Sequence, residues 1–345
     1  MRERRLLIFI SDIHLTDKLK GPSVPKEMIL ARFWERIEGT RGERPATLVF
    51  VGDLFDIVRS PQWFDGSVRP YHEPGPEQER KVLEIAQAII DRERPFLDAL
   101  RAKVESGALE IEYILGNHDR LLEHSSSARA AIWKALTGRD ETPEFAKERV
   151  FPEHGVVAYH GHVNDFINHN DEGPAPIGDA IGLELIVRYP NEVRAAVGEL
   201  LEELDDIDDV RPIFAVPSWV RNYASRQRHI LKPATKTWKR IVEEFFDNPF
   251  TRSWAKEHDR LGFSEAKKLQ LLLRASTGRL LKSTSDQKLV QIFRFLQQMV
   301  DGKFAQNAAG RLEKSGDDRL RYVVNGHSHF ASMNPLGLPV DEPEG

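Results

Sequence analysis

The chain has no cysteine and no long apolar run, and both absences narrow the kind of protein it can be. Without cysteine in 345 residues, disulfide bonds and thiolate zinc sites are excluded. No stretch approaches the roughly 20 consecutive apolar residues of a transmembrane helix. The apolar run Leu6–Ile10 follows a basic N-terminus, but it is shorter than the roughly 7–15 residues of a signal-peptide core. These features predict a cytoplasmic protein without a transmembrane segment.

A strong charge of either sign is also missing. The net charge is −5, so the whole molecule has no general attraction to nucleic acid or anionic lipid, and such a partner would need a local patch. Hydrophobic residues make up 40% and charged residues 30% of the chain, which is typical of a globular protein. The length exceeds the roughly 250–300 residues of a single core, so a domain with a substantial insertion is expected.

What the chain does have is a set of apolar runs that end in polar loops. Residues 111–115 are largely apolar and stop at a glycine, which three polar residues follow. In an α/β sheet the carboxyl ends of the strands form the crevice where ligands bind. The candidate ligands in these loops are Asp12 and His14, Asp53, Asn117 with His118 and Asp119, His160 and His162, and His327 and His329.

The order of the elements predicts an interrupted α/β domain. A strand, a helix and a strand within residues 6–51 predict a parallel pair with a right-handed crossover. Residues 60–78 are expected to form a long loop, and residues 79–103 a helix that Pro95 kinks or divides. From about 165 to 317 only helical periodicity is found, in four stretches at 193–204, 237–246, 264–274 and 287–299. We therefore predict a core in two parts, 1–164 and 318–345, and a helical insertion at 165–317.

The side chains in the loops suit a pair of metal ions. Asp12 and His14 lie one residue apart at a strand end, so both can hold one ion, and the two oxygens of Asp53 can bridge that ion to a second. A mixed set of oxygen and nitrogen ligands favours manganese, with iron or zinc as alternatives. Two such ions, roughly 3.5–4 Å apart, can lower the pKa of a bridging water and neutralise phosphate oxygens. The pattern predicts a metal-dependent hydrolase.

These five blocks together resemble the calcineurin-like metallophosphoesterase family. The resemblance implies a four-layer α/β/β/α sandwich, with two mixed sheets face to face and helices outside. It also implies that the helical insertion is a cap that lies over the metals and selects the substrate. One ion would be held by Asp12, His14, Asp53 and His329, and the other by Asp53, Asn117, His160 and His327. Since the five loops contain all these ligands, the core alone is expected to assemble the metals.

Residues next to the ligands are candidates for catalysis. His118 adjoins a ligand, so we predict that it acts as general acid. Asp119 either orients the ring of His118 or caps the following helix. Of the two histidines near the end of the fourth run, His160 matches the ligand position of the family, and His162 would then face substrate or solvent.

The sequence says less about substrate recognition than about the metal ligands. Arg59 and Arg120 closely follow metal loops and are candidates for binding phosphate oxygens. The predicted substrate is a phosphorylated small molecule, or a lipid-linked or nucleotide substrate, as in the similar UDP-2,3-diacylglucosamine hydrolases. A nuclease acting on DNA or RNA is the alternative, because basic residues surround Trp238 in the segment 226–240. A scaffold without catalytic activity is a second alternative, and no oligomeric state is predicted.

Overall fold

The computed structural model describes residues 5–18, 26–170, 173, 175–199, 201–210, 216–226, 228–258, 273, 307–329 and 333. Apart from residue 273, the two predicted helical stretches at 264–274 and 287–299 lie outside the described residues. None of the described helices is long and apolar enough to cross a lipid bilayer.

Three parallel strands form the first sheet. They are β1 (Leu6–Ile10), β2 (Ala46–Val51) and β3 (Leu109–Ile114), in the order β1-β2-β3. Helix α1 (Lys26–Arg41) connects β1 to β2, and the two strands pair in parallel with Leu6 opposite Ala46. The predicted strand-helix-strand unit is therefore confirmed. Because all three strands run in one direction, the loops that follow them lie at one edge of the sheet.

The second sheet is mixed and joins distant parts of the chain. Strands β4 (Glu148–Phe151) and β5 (Val156–Tyr159) form an antiparallel hairpin, and β6 (Tyr322–Val324) pairs in parallel with β5. The loop after β6 is thereby placed beside the loop after β5. Both loops contain predicted ligands, although more than 150 residues separate them in the sequence.

The remaining elements are helical. Residues 60–78, predicted as a loop, contain a 3₁₀ turn at Pro61–Asp65, and the next helix begins at Pro76 rather than at residue 79. The predicted division near Pro95 is confirmed: one helix ends at Arg92 and the next begins at Arg94, so Pro95 lies in a first turn, where its missing N–H is tolerated.

The helices are α2 (Pro76–Arg92), α3 (Arg94–Glu105), α4 (Ser126–Thr137), α5 (Ile177–Ile181), a π-helical segment (Gly182–Val187), α6 (Arg188–Val197), α7 (Val216–Arg226), α8 (Arg228–Asp247) and α9 (Pro249–His258). Further 3₁₀ turns cover Arg120–His124, Pro152–His154, His162–Asn164 and Glu202–Asp209, and residues 307–315 are also helical.

The two sheets pack against each other through a small apolar cluster. Val49, Val51 and Ile114 of the first sheet contact Ala158 of the second, and Phe151 of β4 packs on this group. The opposite face of the first sheet belongs to the larger core, together with the buried side of the helices α2 to α4. An α/β domain with two small sheets is thus confirmed, while the complete four-layer sandwich and the cap stay predictions.

The first part of the predicted insertion shares the main core. Ile177 and Leu183 are fully buried in the same cluster as Leu54 and Trp63 of the loops after β2. A hydrogen bond also joins the loop after β2 to the insertion: the Tyr71 hydroxyl donates to Glu184 Oε1 of the π-helical segment at 2.6 Å. The α5 region is therefore packed as part of the domain.

Leu183→Ala should consequently destabilise the domain as a whole. Leucine-to-alanine changes at buried sites cost about 2–5 kcal/mol of the free energy of unfolding. The matched control is Leu231→Ala in α8, where the leucine is 38% exposed and the expected change is within about 0.5 kcal/mol. Urea titrations followed by tryptophan fluorescence measure both changes. Equal losses in the two variants, or a loss confined to a separate transition of the insertion, would contradict a shared core.

Candidate metal centre

The structure brings the seven predicted ligands together. One group of potential ligand atoms comes from Asp12, His14 and His329, and another from Asp53, His160 and His327, with the atoms of each group within 4.8 Å of one another. The Asn117 side chain joins the second group, since its Oδ1 lies 3.1 Å from His160 Nε2. The two groups match the two ion sites that the family resemblance implies, except that Asp53, expected in both, belongs only to the second group.

Backbone hydrogen bonds hold the ligand loops against one another. The amide of His14 donates to the Asp53 carbonyl at 3.0 Å, which joins the loops after β1 and β2. The amide of His327 donates to Asp12 Oδ2 at 3.0 Å, and the amide of Gly326 donates to the His160 carbonyl at 3.0 Å. The loop after β6 is thus tied to both sheets.

Backbone conformation marks the same residues. A left-handed backbone is uncommon for residues other than glycine and costs of order 1–3 kcal/mol where it occurs. In the described part of the chain, every non-glycine residue with a positive φ is one of the predicted ligands: Asp12, His14, Asp53, His327 and His329, with φ between 51° and 71°. Such strain concentrates at functional sites. No local sequence pattern predicts these left-handed conformations.

Two glycines allow the loops to approach closely. A Cβ on Gly116 would collide with the carboxylate of Asp53. A Cβ on Gly52, whose φ is +84°, would lie 2.5 Å from His160 Cγ and 2.8 Å from Gly116 Cα. Only glycine fits at these positions without displacing a predicted ligand.

His160, rather than His162, belongs to the second group of potential ligands. Its Nδ1 lies 2.8 Å from the Val51 carbonyl oxygen, which can only accept, so Nδ1 carries a hydrogen. Its Nε2 then faces Asp53 Oδ2 and Asn117 Oδ1, each at 3.1 Å. Burial alone would lower the pKa of His160, but the Asp53 carboxylate beside it raises that pKa to about 9.

Asp53 is buried among groups that can be positively charged. Its side chain is 1% exposed, and burial alone would raise its pKa. The neighbouring His160 and His118 outweigh burial and hold the pKa of Asp53 well below its usual range. The carboxylate is therefore anionic in a position where only compensating positive charge keeps it stable.

His118 is oriented by Asp56, a residue that the sequence analysis missed. His118 Nδ1 lies 2.9 Å from Asp56 Oδ1, and its backbone amide donates to Asp53 Oδ1 at 2.8 Å. The His118 ring meets the His14 ring edge-on, with 4.7 Å between centroids. The sequence contains one signal for this role, a second carboxylate three residues after Asp53. That carboxylate was not selected because it does not directly follow a predicted strand.

Both predicted roles of Asp119 are corrected. Its carboxylate is fully buried and accepts hydrogen bonds from the Gly116 amide at 2.6 Å, the Tyr113 hydroxyl at 2.8 Å and the Leu54 amide at 3.2 Å. It makes no capping bond in the turn that follows, and Asp56 takes its expected place beside His118. Burial and the charge of Asp53 raise the pKa of Asp119 to about 7. Asp119 therefore braces the loops after β2 and β3.

The two predicted phosphate-binding arginines contact carboxylates of the protein. Arg59 is buried and donates through Nε to Asp56 Oδ2 at 2.9 Å. Arg120 donates through Nε to Asp179 Oδ2 at 2.9 Å and through Nη2 to the Pro70 carbonyl at 2.9 Å. Both arginines therefore stabilise contacts within the protein. Their binding of phosphate stays a prediction.

His162 lies beside the second group of ligands. Its ring centroid is 5.4 Å from that of His160 and 6.4 Å from that of His327. Its Nδ1 is buried and has no hydrogen-bond partner among the described residues. Burial, followed by the nearby His160 and His327, holds the pKa of His162 well below its usual range. The ring is therefore neutral at physiological pH, and its contact with substrate stays a prediction.

The basic segment expected to favour nucleic acid does not present a stacking ring. Trp238 is 2% exposed and packs edge-on against Tyr189, with 5.6 Å between ring centroids. Arg240 Nη1 pairs with Glu244 Oε1 at 3.0 Å, and the same guanidinium also contacts Glu192. The buried Trp238 therefore does not support the alternative of a nucleic-acid patch with a stacking ring.

Comparison with known proteins agrees with the geometry. A family model described as calcineurin-like phosphoesterase matches residues 6–216, which is more than half of the chain and contains four of the five ligand loops. The fifth loop, with His327 and His329, lies beyond the matched range but is brought to the same place by β6. No curated protein and no solved structure matched the chain. The chain therefore belongs to the calcineurin-like phosphoesterase family.

Proposed function

We propose that the protein is a dimetal-dependent hydrolase of phosphoester or pyrophosphate bonds. The observation that carries this proposal is the position of Asp53. Its buried carboxylate lies 3.1 Å from His160 Nε2, and its backbone carbonyl accepts from the amide of His14, which belongs to the other ligand group. A carboxylate placed between two ligand groups in this way can bridge two ions.

The donor groups fit divalent ions. His160 has its Nδ1 hydrogen directed at the Val51 carbonyl, so Nε2 is the nitrogen that would bind an ion in place of its proton. Asn117 directs its oxygen, a neutral ligand, toward the same point. Asp12, His14 and His329 supply oxygen and nitrogen for the first ion. This mixture suits manganese, with iron or zinc as alternatives.

The mechanism assigns proton transfer to His118. When bound, the two ions would neutralise phosphate oxygens and lower the pKa of the attacking water. His118 Nδ1 is held by Asp56 at 2.9 Å, while its Nε2 is turned to the metal side, 4.0 Å from Asp53 Oδ2. In this orientation Nε2 can protonate the leaving oxygen, and the Asp56 carboxylate stabilises the imidazolium before the transfer.

The proposed substrate is a phosphorylated small molecule, or a lipid-linked or nucleotide substrate, which the helical insertion would select. The α5 region supports this role, because Asp179 and Glu184 contact Arg120 and Tyr71 of the loops around the centre. A nuclease remains the alternative, but the buried Trp238 and the paired Arg240 weaken it. The complete ligand set argues against a scaffold without activity.

His118→Asn should separate proton donation from metal binding. Loss of the general acid should lower turnover by about 10²–10⁴ on a phosphoester with a poor leaving group. A good leaving group such as p-nitrophenolate needs little protonation, so its hydrolysis should be much less affected. Steady-state kinetics with manganese on a p-nitrophenyl and an alkyl phosphate test this. Equal losses on both substrates would assign His118 a structural or metal-binding role instead.

Asp56→Asn should reproduce this leaving-group dependence in weaker form. The amide keeps the shape of the side chain but removes the negative charge that stabilises protonated His118. The same two substrates show the effect as a selective loss on the alkyl phosphate. If the variant lost activity on both substrates to the same extent, Asp56 would serve only to shape the loop.

Asp53→Asn should remove the bridge between the ions. Wild-type protein is expected to bind two divalent ions per chain, and the variant fewer, because an amide offers one neutral oxygen in place of two charged ones. Metal analysis after dialysis against manganese measures both. A wild-type stoichiometry near one, unchanged in the variant, would rule out the bridging role.

A further inference from the structure

The turn that begins the predicted insertion contacts two of the predicted ligands. Asp165 Oδ2 lies 3.1 Å from His327 Nε2, and Asn168 Oδ1 lies 3.4 Å from Asn117 Nδ2. The two turn residues also contact each other, since Asn168 Nδ2 donates to Asp165 Oδ2 at 2.7 Å. A continuous set of polar contacts therefore runs from His327 through the turn to Asn117.

Local hydrogen bonds make this turn rigid. Asp165 Oδ1 accepts from the Ile167 amide at 2.9 Å, and the Asn168 amide donates to the Asp165 carbonyl at 2.9 Å. The turn is also anchored to α5, because the Gly178 amide donates to the Ile167 carbonyl at 2.7 Å. A Cβ on Gly178 would lie 2.5 Å from Asn168 Oδ1, so the anchor requires a glycine at this position.

The chemistry of these contacts suits ligand orientation. A carboxylate that accepts the ring N–H of a metal-binding histidine selects its tautomer and increases the basicity of the other nitrogen. Asp165 is placed to do this for His327. In the same way, the Asn168 oxygen accepts from the Asn117 amide nitrogen, which leaves Asn117 Oδ1 directed toward His160 Nε2 at 3.1 Å.

We infer that Asp165 and Asn168 are positioning residues for the second metal ion. The inference rests on the proposed metal centre and extends it, because His327 and Asn117 are both assigned to that ion. It also revises the expectation that the core assembles the metals without residues 165–317. The insertion thus contributes orientation, although none of the seven predicted ligands lies within it.

The test uses the full-length chain and measures metal binding instead of turnover. Metal-free protein is titrated with Mn²⁺ and followed by electron paramagnetic resonance, in which a pair of nearby ions gives an exchange-coupled signal and a single ion gives six lines. The variants are Asp165→Asn, which keeps the side-chain shape, and Asn168→Ala. Asp179→Asn is the matched control, because Asp179 is a buried carboxylate of the same region that pairs with Arg120.

Loss of an orienting partner typically weakens metal affinity by about 10–100-fold. We expect this loss for one ion only in the Asp165 and Asn168 variants, so that at intermediate Mn²⁺ the six-line signal replaces the coupled one. The control should bind both ions as the wild type does.

Each other outcome overturns a defined part of the account. A wild-type chain that binds fewer than two ions rejects the metal centre itself, and the inference with it. Two ions in the wild type with unchanged affinities in the Asp165 and Asn168 variants reject the inference alone. Equal weakening of both ions, or the same weakening in Asp179→Asn, assigns the effect to general destabilisation and also rejects it.

Discussion

The structure depends on keeping a charged carboxylate stable where water cannot reach it. Asp53 lies at the end of β2 with 1% of its side chain exposed, and an isolated buried carboxylate would be protonated rather than charged. His160 and His118 supply the compensating charge that holds its pKa low. Divalent ions would supply further compensating positive charge, so a site that stabilises this anion is also suited to binding them.

The surrounding fold supports a strained set of loops. Five predicted ligands have left-handed backbones, a conformation that persists only where the neighbouring structure over-determines it. The support comes from two sources. Packing between the sheets around Val51 and Ile114 places the strand ends side by side, and the three hydrogen bonds of the buried Asp119 join the loops after β2 and β3. Gly116 then allows these loops to meet at Asp53.

The sequence predicted those parts of the site that depend on strand ends. Apolar runs followed by Asp, Asn or His located the ligand loops, because strand polarity determines which edge of a sheet a loop occupies. Asp56 and Asp165 were missed, and Asp119 was assigned the wrong contact, because those roles depend on which side chains meet across loops distant in sequence. No local sequence pattern shows which side chains of two distant loops come into contact. The π-helical segment Gly182–Val187 was also not predicted. Its Leu183 packs in the main core against residues that are distant in the sequence.

The most direct test of the central claim is anomalous diffraction from crystals grown with manganese. Two peaks roughly 3.5–4 Å apart are expected, one on either side of the Asp53 carboxylate. One peak should be surrounded by Asp12, His14 and His329, and the other by Asn117, His160 and His327. A single peak, or two peaks that do not share Asp53, would contradict the bridging arrangement on which the proposed function rests.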